Sequence, residues 1–237
     1  MGSLYRMTLQ QLTGRWRLGI MTALAAMPVI ITAVMLRSAT APSVGAFEGM
    51  VLSTMLAGSI APLVVLAIAA PAFANEIEDR TLANLTLTPL PRWQIVVPKL
   101  LAAITIAAPF IVASALATSY IAFLGDRTAM VAVTVSALVG VVLYVCAFVW
   151  LGLVTTQAIG VGLLYIVLWE GFFGGFISGV RLLSIRHHTL ALMHGLDPRR
   201  FAEHEHLSLT AVVAVSVILC GGLALLSVRR LRRMDVP

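Results

Sequence analysis

Only a handful of side chains in this sequence could do chemistry, because 60% of its 237 residues are hydrophobic and 11% are charged. Three of the ten acids, Glu76, Glu78 and Asp79, fall within four residues, next to Arg80 and upstream of Arg92 and the only lysine, Lys99. The runs on either side, Val51–Ala74 and Leu100–Gly125, carry no charge. A polar stretch between two apolar runs of membrane-spanning length has to sit in water, and its content reads as a docking surface. An embedded enzyme would need an acid, base or metal set clustered at one depth, and only the histidines near the other end come close. His187, His188, His194, His204 and His206 invite a metal or haem reading, but the His-Glu-His run at 204–206 is not a usual ligand spacing and no cysteine accompanies it. A polar outer loop is the better reading. Cys146 and Cys220 each lie in an apolar run and read as small buried hydrophobes. Glu170 follows the uncharged run Thr128–Trp169, and a carboxylate at membrane depth is a functional candidate by default. With Phe172 and Phe173 it could line a gate or substrate path. It could equally be solvated, or cap a following helix.

Those residues are positioned by a membrane protein. A mean hydropathy of +1.00 and 11% charge lie far from the roughly 25% charge of a soluble domain. The net charge of +6 then reflects arginines flanking spans, and nucleic-acid binding is excluded as a reading. The fold class is all-α with six spans. Residues 3–17 form an amphipathic helix in the interface plane, with Tyr5, Leu9, Leu12 and Trp16 on one stripe. The spans follow at about Leu18–Leu36, Met50–Phe73, Val96–Leu124, Ala129–Val154, Ala158–Phe173 and Leu207–Val228, with a loop holding Pro42, Gly45 and Glu48 between the first two. Spans one to four and six show no ionisable residue in their interiors, which argues against an ion-coupled secondary transporter. Residues 174–206, rich in glycine, arginine and histidine but partly apolar, suit short re-entrant helices on the extracytoplasmic side. Ten Lys and Arg side chains fall on the side of the termini and six on the other, so both termini and residues 75–99 are placed in the cytoplasm.

The segment after span two divides in three. Phe73–Arg80 continues the span as a helix, in which Glu76 and Arg80 can pair four residues apart. Thr81–Leu87 places Leu82 and Leu85 at helical spacing. Thr88-Pro-Leu-Pro-Arg-Trp93 breaks the helix twice and restarts it with Trp93 at the interface. This run, EIEDRTLANLTLTPLPRWQIVVPKLLAA, resembles the segment after span two of type-2 ABC transporter permeases. The match rests on Glu76, Glu78, Arg80, Thr81, Leu82, Leu85, Thr88, Pro89, Arg92, Trp93, Ile95, Lys99, Leu100, Leu101 and Ala102. Ala83, in place of an acid, and Pro98, in place of a common glycine, depart from it.

The resemblance implies a single transmembrane permease domain over residues 1–237, in the inner membrane of a bacterial-type cell. Thr81–Leu87 would be a coupling helix docking into an ABC ATPase subunit, within a docking segment of Glu76, Glu78, Asp79, Arg80, Thr81, Leu82, Leu85, Leu87 and Arg92. It implies a second copy or homologue of the chain, contact with membrane lipids, and ATP-driven export of a lipid-like, drug-like or other small amphiphile by alternating access. Haem-exporter-like relatives and a secondary transporter are the alternatives. In the family the Glu170 region helps form the extracellular gate. A P-loop needs GxxxxGK[ST], and the sole lysine sits in VVPKLLA, so ATP and Mg belong to the partner chain and this one is not itself an enzyme. A cysteine introduced at Asn84 should react with an impermeant maleimide only from the cytoplasmic side; reaction from outside inverts the topology.

Overall fold

The computed structural model describes residues 2–37, 43–78, 91–173, 184–201 and 209–233. Among them there are helices and short turns and no strand, as a lipid-embedded backbone requires when water cannot satisfy its N–H and C=O groups. The elements are α1 (Gly2–Leu12), α2 (Arg15–Arg37), α3 (Val44–Glu78), α4 (Trp93–Phe123), α5 (Arg127–Val154), α6 (Ala158–Leu164, continued by a π-wound stretch Tyr165–Phe173), α7 (Ile185–Leu196) and α8 (Leu209–Arg233). Five of these, α2, α3, α4, α5 and α8, are long and apolar enough to cross a membrane. The fifth of the six expected spans is the shorter apolar helix Ala158–Gly171.

The interfacial helix is shorter than its sequence pattern suggests. It ends at Leu12, and α2 begins at Arg15 rather than near Leu18, so Trp16 leaves the expected stripe and is 85% exposed. The break has a local cause: the Thr13 hydroxyl donates to the Leu9 carbonyl at 2.8 Å, and Gly14 follows with no side chain to hold a helix. Tyr5, Leu9 and Leu12 keep their stripe and turn it onto the protein, with the Tyr5 hydroxyl 3.0 Å from that of Thr105 on α4.

The loop expected around Gly45 and Glu48 is instead the start of α3. Ser43 caps it by accepting from the Ala46 amide at 3.2 Å, and the chain from Glu48 to Ile60 is wound as a π-helix. Side chains follow the wider winding: the Thr54 and Ser59 hydroxyls donate to carbonyls five residues back, at 2.8 and 3.0 Å. Pro62 has no N–H for the carbonyl five residues before it, Ala57, and the buried Tyr144 hydroxyl of α5 donates there instead, at 3.3 Å.

α3 is the interior helix: 72% of its membrane window is buried, against 22% for α2 and 17% for α8. α5 packs along it with glycines at the closest approaches. A Cβ on Gly152 would stand 2.5 Å from the Ala70 carbonyl oxygen, and one on Gly140 would meet the Thr189 hydroxyl of α7 at 2.7 Å. Across α5 and α8, Cys146 and Cys220 are free thiols with sulfurs 3.1 Å apart. α4 ends at Leu124 and Gly125 in left-handed conformations (φ 43° and 93°), and Asp126 caps α5 by accepting from the Thr128 and Ala129 amides. Gly152→Val should cost about 1–3 kcal/mol by forcing α3 and α5 apart, read as a lower melting temperature in detergent, while Gly160→Ala, with open space around it, should leave that temperature unchanged.

Candidate functional site

Two polar seams stand at opposite ends of the α3 helix. The first joins its last turns to the first turns of α4. Pro71 restarts α3 at its end, turning Glu76 inward, where it is 8% exposed, and leaving Asn75 and Glu78 outside. Lys99 lies six residues inside α4 and is 1% exposed. Its ammonium is 2.6 Å from Glu76 Oε1, donates to the Ala72 carbonyl, and rests 4.2 Å from the centroid of the Phe73 ring. A charge withdrawn from water needs a counter-charge and further hydrogen bonds, and Lys99 takes all of them from one turn of α3. The two helices that carry residues 79–90 are thereby bridged at their base.

The sequence had singled out both residues of this pair but matched Glu76 with Arg80, its neighbour along the helix. Arg80 lies outside the described residues, with Asp79, Thr81, Leu82, Leu85 and Leu87. Arg92 is half-buried in the turn before α4. The reading that the spans hold no interior ionisable groups does not survive: Lys99 in α4 and Glu48 in α3 are both buried.

The second seam fastens α7 to α3. Glu170, near the end of α6, is 1% exposed, and both its oxygens are engaged. Oε1 accepts from the Tyr165 hydroxyl and from the Ile185 amide, each at 3.0 Å, and Oε2 accepts from the Ser184 hydroxyl at 2.5 Å. It thus caps the first turn of α7, one of the two structural roles its sequence context allows. The backbone of Phe172 and Phe173 continues the π-wound end of α6; their side chains lie outside the described residues. Arg186 donates to the Ser53 hydroxyl at 2.7 and 3.2 Å and to the Glu170 carbonyl at 3.2 Å. At the far end of α7, His194 Nε2 meets Glu48 Oε1, both buried.

Beside this seam an open bowl of about 820 Å³ is lined by Asp126, Thr128, Asp197, Arg199 and Arg200. Arg200 pairs with Asp126 at 3.1 Å over the Phe123 ring. Sequence reasoning missed Glu48 and Arg186. The available signal was that Glu48 is the only acid between the N-terminus and Glu76, at the edge of an apolar run. Among the described residues no group of three or more His, Cys, Asp and Glu is placed to hold a metal ion; His204 and His206 are outside them.

The α3–α4 base can transmit displacement without covalent chemistry, and the α7 seam can open only by breaking several polar contacts together. A family model described as "ABC-2 family transporter protein" matches residues 14–180, which contain both helices of the first seam and all of α3 to α6. Among curated proteins none matches the chain significantly. Lys99→Met, which strips Glu76 of its ammonium, should cost about 3–5 kcal/mol, whereas Glu76→Gln with Lys99→Met should restore most of it. Melting of the four-member set in detergent checks the coupling, and additive losses would show that the pair does not interact.

Proposed function

The chain belongs to the ABC-2 family of transporter proteins, a family of membrane-spanning permeases, and on that premise we propose that it moves an amphiphilic substrate outward by alternating access, driven by ATP hydrolysis on a separate ATPase subunit. The observation that carries this reading is the Lys99–Glu76 bridge. A polar segment that docks an ATPase can do mechanical work on the spans only if both its ends are stiff. Residues 79–90 leave α3 and re-enter at Trp93 within one braced pair of helices. Push on that segment and α3 and α4 move as one body. α3 is the most buried span and carries, at its other end, the Ser53 and Glu48 contacts to α7. Displacement at one face therefore loads the seam at the other, and α7 with Glu170 serves as the outer gate.

In this reading α6 is the fifth of six spans, both termini and residues 79–90 are cytoplasmic, and Thr81–Leu87 is the coupling helix. The translocation path runs between two permease chains, identical or homologous. The outward face of α6, with Leu164, Val167 and Leu168 exposed, supports a second chain there. Uncharged span surfaces favour lipid-like or drug-like cargo. ATP and Mg bind the partner ATPase alone.

Leu82→Asp with Leu85→Asp should leave the permease folded and in the membrane but abolish co-purification with its ATPase and at least tenfold of stimulated ATP hydrolysis. An intact complex with full stimulation would sink the docking assignment.

A further inference from the structure

α6 and α8 both pack on α5 and make little contact with each other, which leaves a cleft between them. Ala147, Trp150 and Leu151 of α5, Val161 of α6, and Leu219 and Leu223 of α8 lie on its walls, and it holds a cavity of about 310 Å³. The one hydroxyl on the walls, that of Tyr165, is engaged by Glu170. Water gains few partners in such a space, and apolar cavities of about 150 Å³ already admit a benzene-sized guest while staying dry. Two such volumes suit a hydrocarbon tail. They do not suit a helix about 10–12 Å across.

The end of α8 says which molecule carries the tail. Arg230 is exposed and follows Leu219 by eleven residues and Leu223 by seven, within about 20° of both around the helix. It therefore continues the stripe that lines the cleft, about 10 Å further along the axis. Arg229, Arg232 and Arg233 surround it, and Leu209–Arg233 contains no acid. An amphiphile whose tail enters the cleft places its headgroup at this arginine cluster, at the depth where charged side chains meet the membrane surface.

We propose that the cleft between α5, α6 and α8 binds one acyl chain of an anionic phospholipid, with Arg230 holding its phosphate. The site lies within a single chain and adjoins the second polar seam through Tyr165 and Ile185. Through Tyr165 the bound tail packs beneath Glu170 and so supports the residue that caps α7.

The test uses the full-length chain in lipid nanodiscs, with Trp16, Trp93 and Trp169 replaced by phenylalanine so that Trp150 alone reports. The probes are phosphatidylglycerol and phosphatidylcholine carrying one dibrominated acyl chain, whose bromines quench a tryptophan they touch. Brominated phosphatidylglycerol should quench Trp150 with saturation at a mole fraction at least fivefold below that for brominated phosphatidylcholine. Arg230→Gln, an exposed change, should bring the two lipids level. Ala147→Phe, which fills the cavity, should remove the saturating component for both. Quenching that rises with mole fraction equally for both lipids in every variant would mean annular contact only and overturn the site. If Ala147→Phe instead lowers the oligomeric mass in light scattering and leaves quenching unchanged, the cleft belongs to a second copy of the chain, and the proposal is equally overturned.

Discussion

Lys99 is withdrawn from water in a bundle that offers it almost no polar atoms, and much of the architecture around residues 79–90 follows from how that charge is accommodated. The desolvation penalty for an ammonium is several kcal/mol even after relaxation. It is offset here by Glu76, by the Ala72 carbonyl and by the face of Phe73, all from one turn of α3. No comparable partner lies on α4 itself within helical reach, since Leu100–Phe123 is uncharged. So α3 must stand beside α4 in one register, and the polar segment between them starts and ends at fixed places. Two well-packed leucines would hold these helices as firmly. They would not specify which turn faces which, because apolar contacts slide at little cost, and a charge pair does not.

The opposite seam works by the same rule with more members. Glu170 is buried only because a helix N-terminus, a serine and a tyrosine all donate to it. Glu48 is buried because His194 reaches it. α7 is therefore positioned by its two ends, Arg186 and His194, both acting on the π-wound start of α3. That winding is itself functional packing: it frees the Ala57 carbonyl for Tyr144 and sets Ser53 toward Arg186. Between the seams, Gly152 of α5 lies against the Ala70 backbone of α3, and the Leu66 side chain of α3 seats where Gly162 of α6 has none. Rigid where it is glycine-packed and polar at both ends, α3 is suited to carry a displacement across the bundle. The peripheral spans differ. α8 is mostly exposed along its length, and the lipid cleft lies where it and α6 fail to meet.

Much of this was legible from composition and periodicity. Uncharged runs of about twenty residues announce spans, because only an internally bonded helix survives in hydrocarbon. The helical continuation of α3 to Glu78 and the family-like segment after it could be read locally, since each depends on neighbours in sequence. The break at Thr13–Gly14 was overridden by an attractive stripe through Trp16, and the start of α3 was hidden because Pro42, Gly45 and Glu48 look like a loop. A buried glutamate is improbable until its distant histidine is known.

Residue types by themselves therefore determined that the chain is a helical membrane protein and that a short polar island separates two apolar runs of span length. These depend on hydropathy and on the presence or absence of a side chain, which need no coordinates. Only the tertiary structure decided that Lys99 answers Glu76, that Glu48 answers His194, and that Glu170 caps α7. Pairings over separations of 23 and 146 residues leave no periodic trace, since low-dielectric burial selects partners by proximity in space and not along the chain.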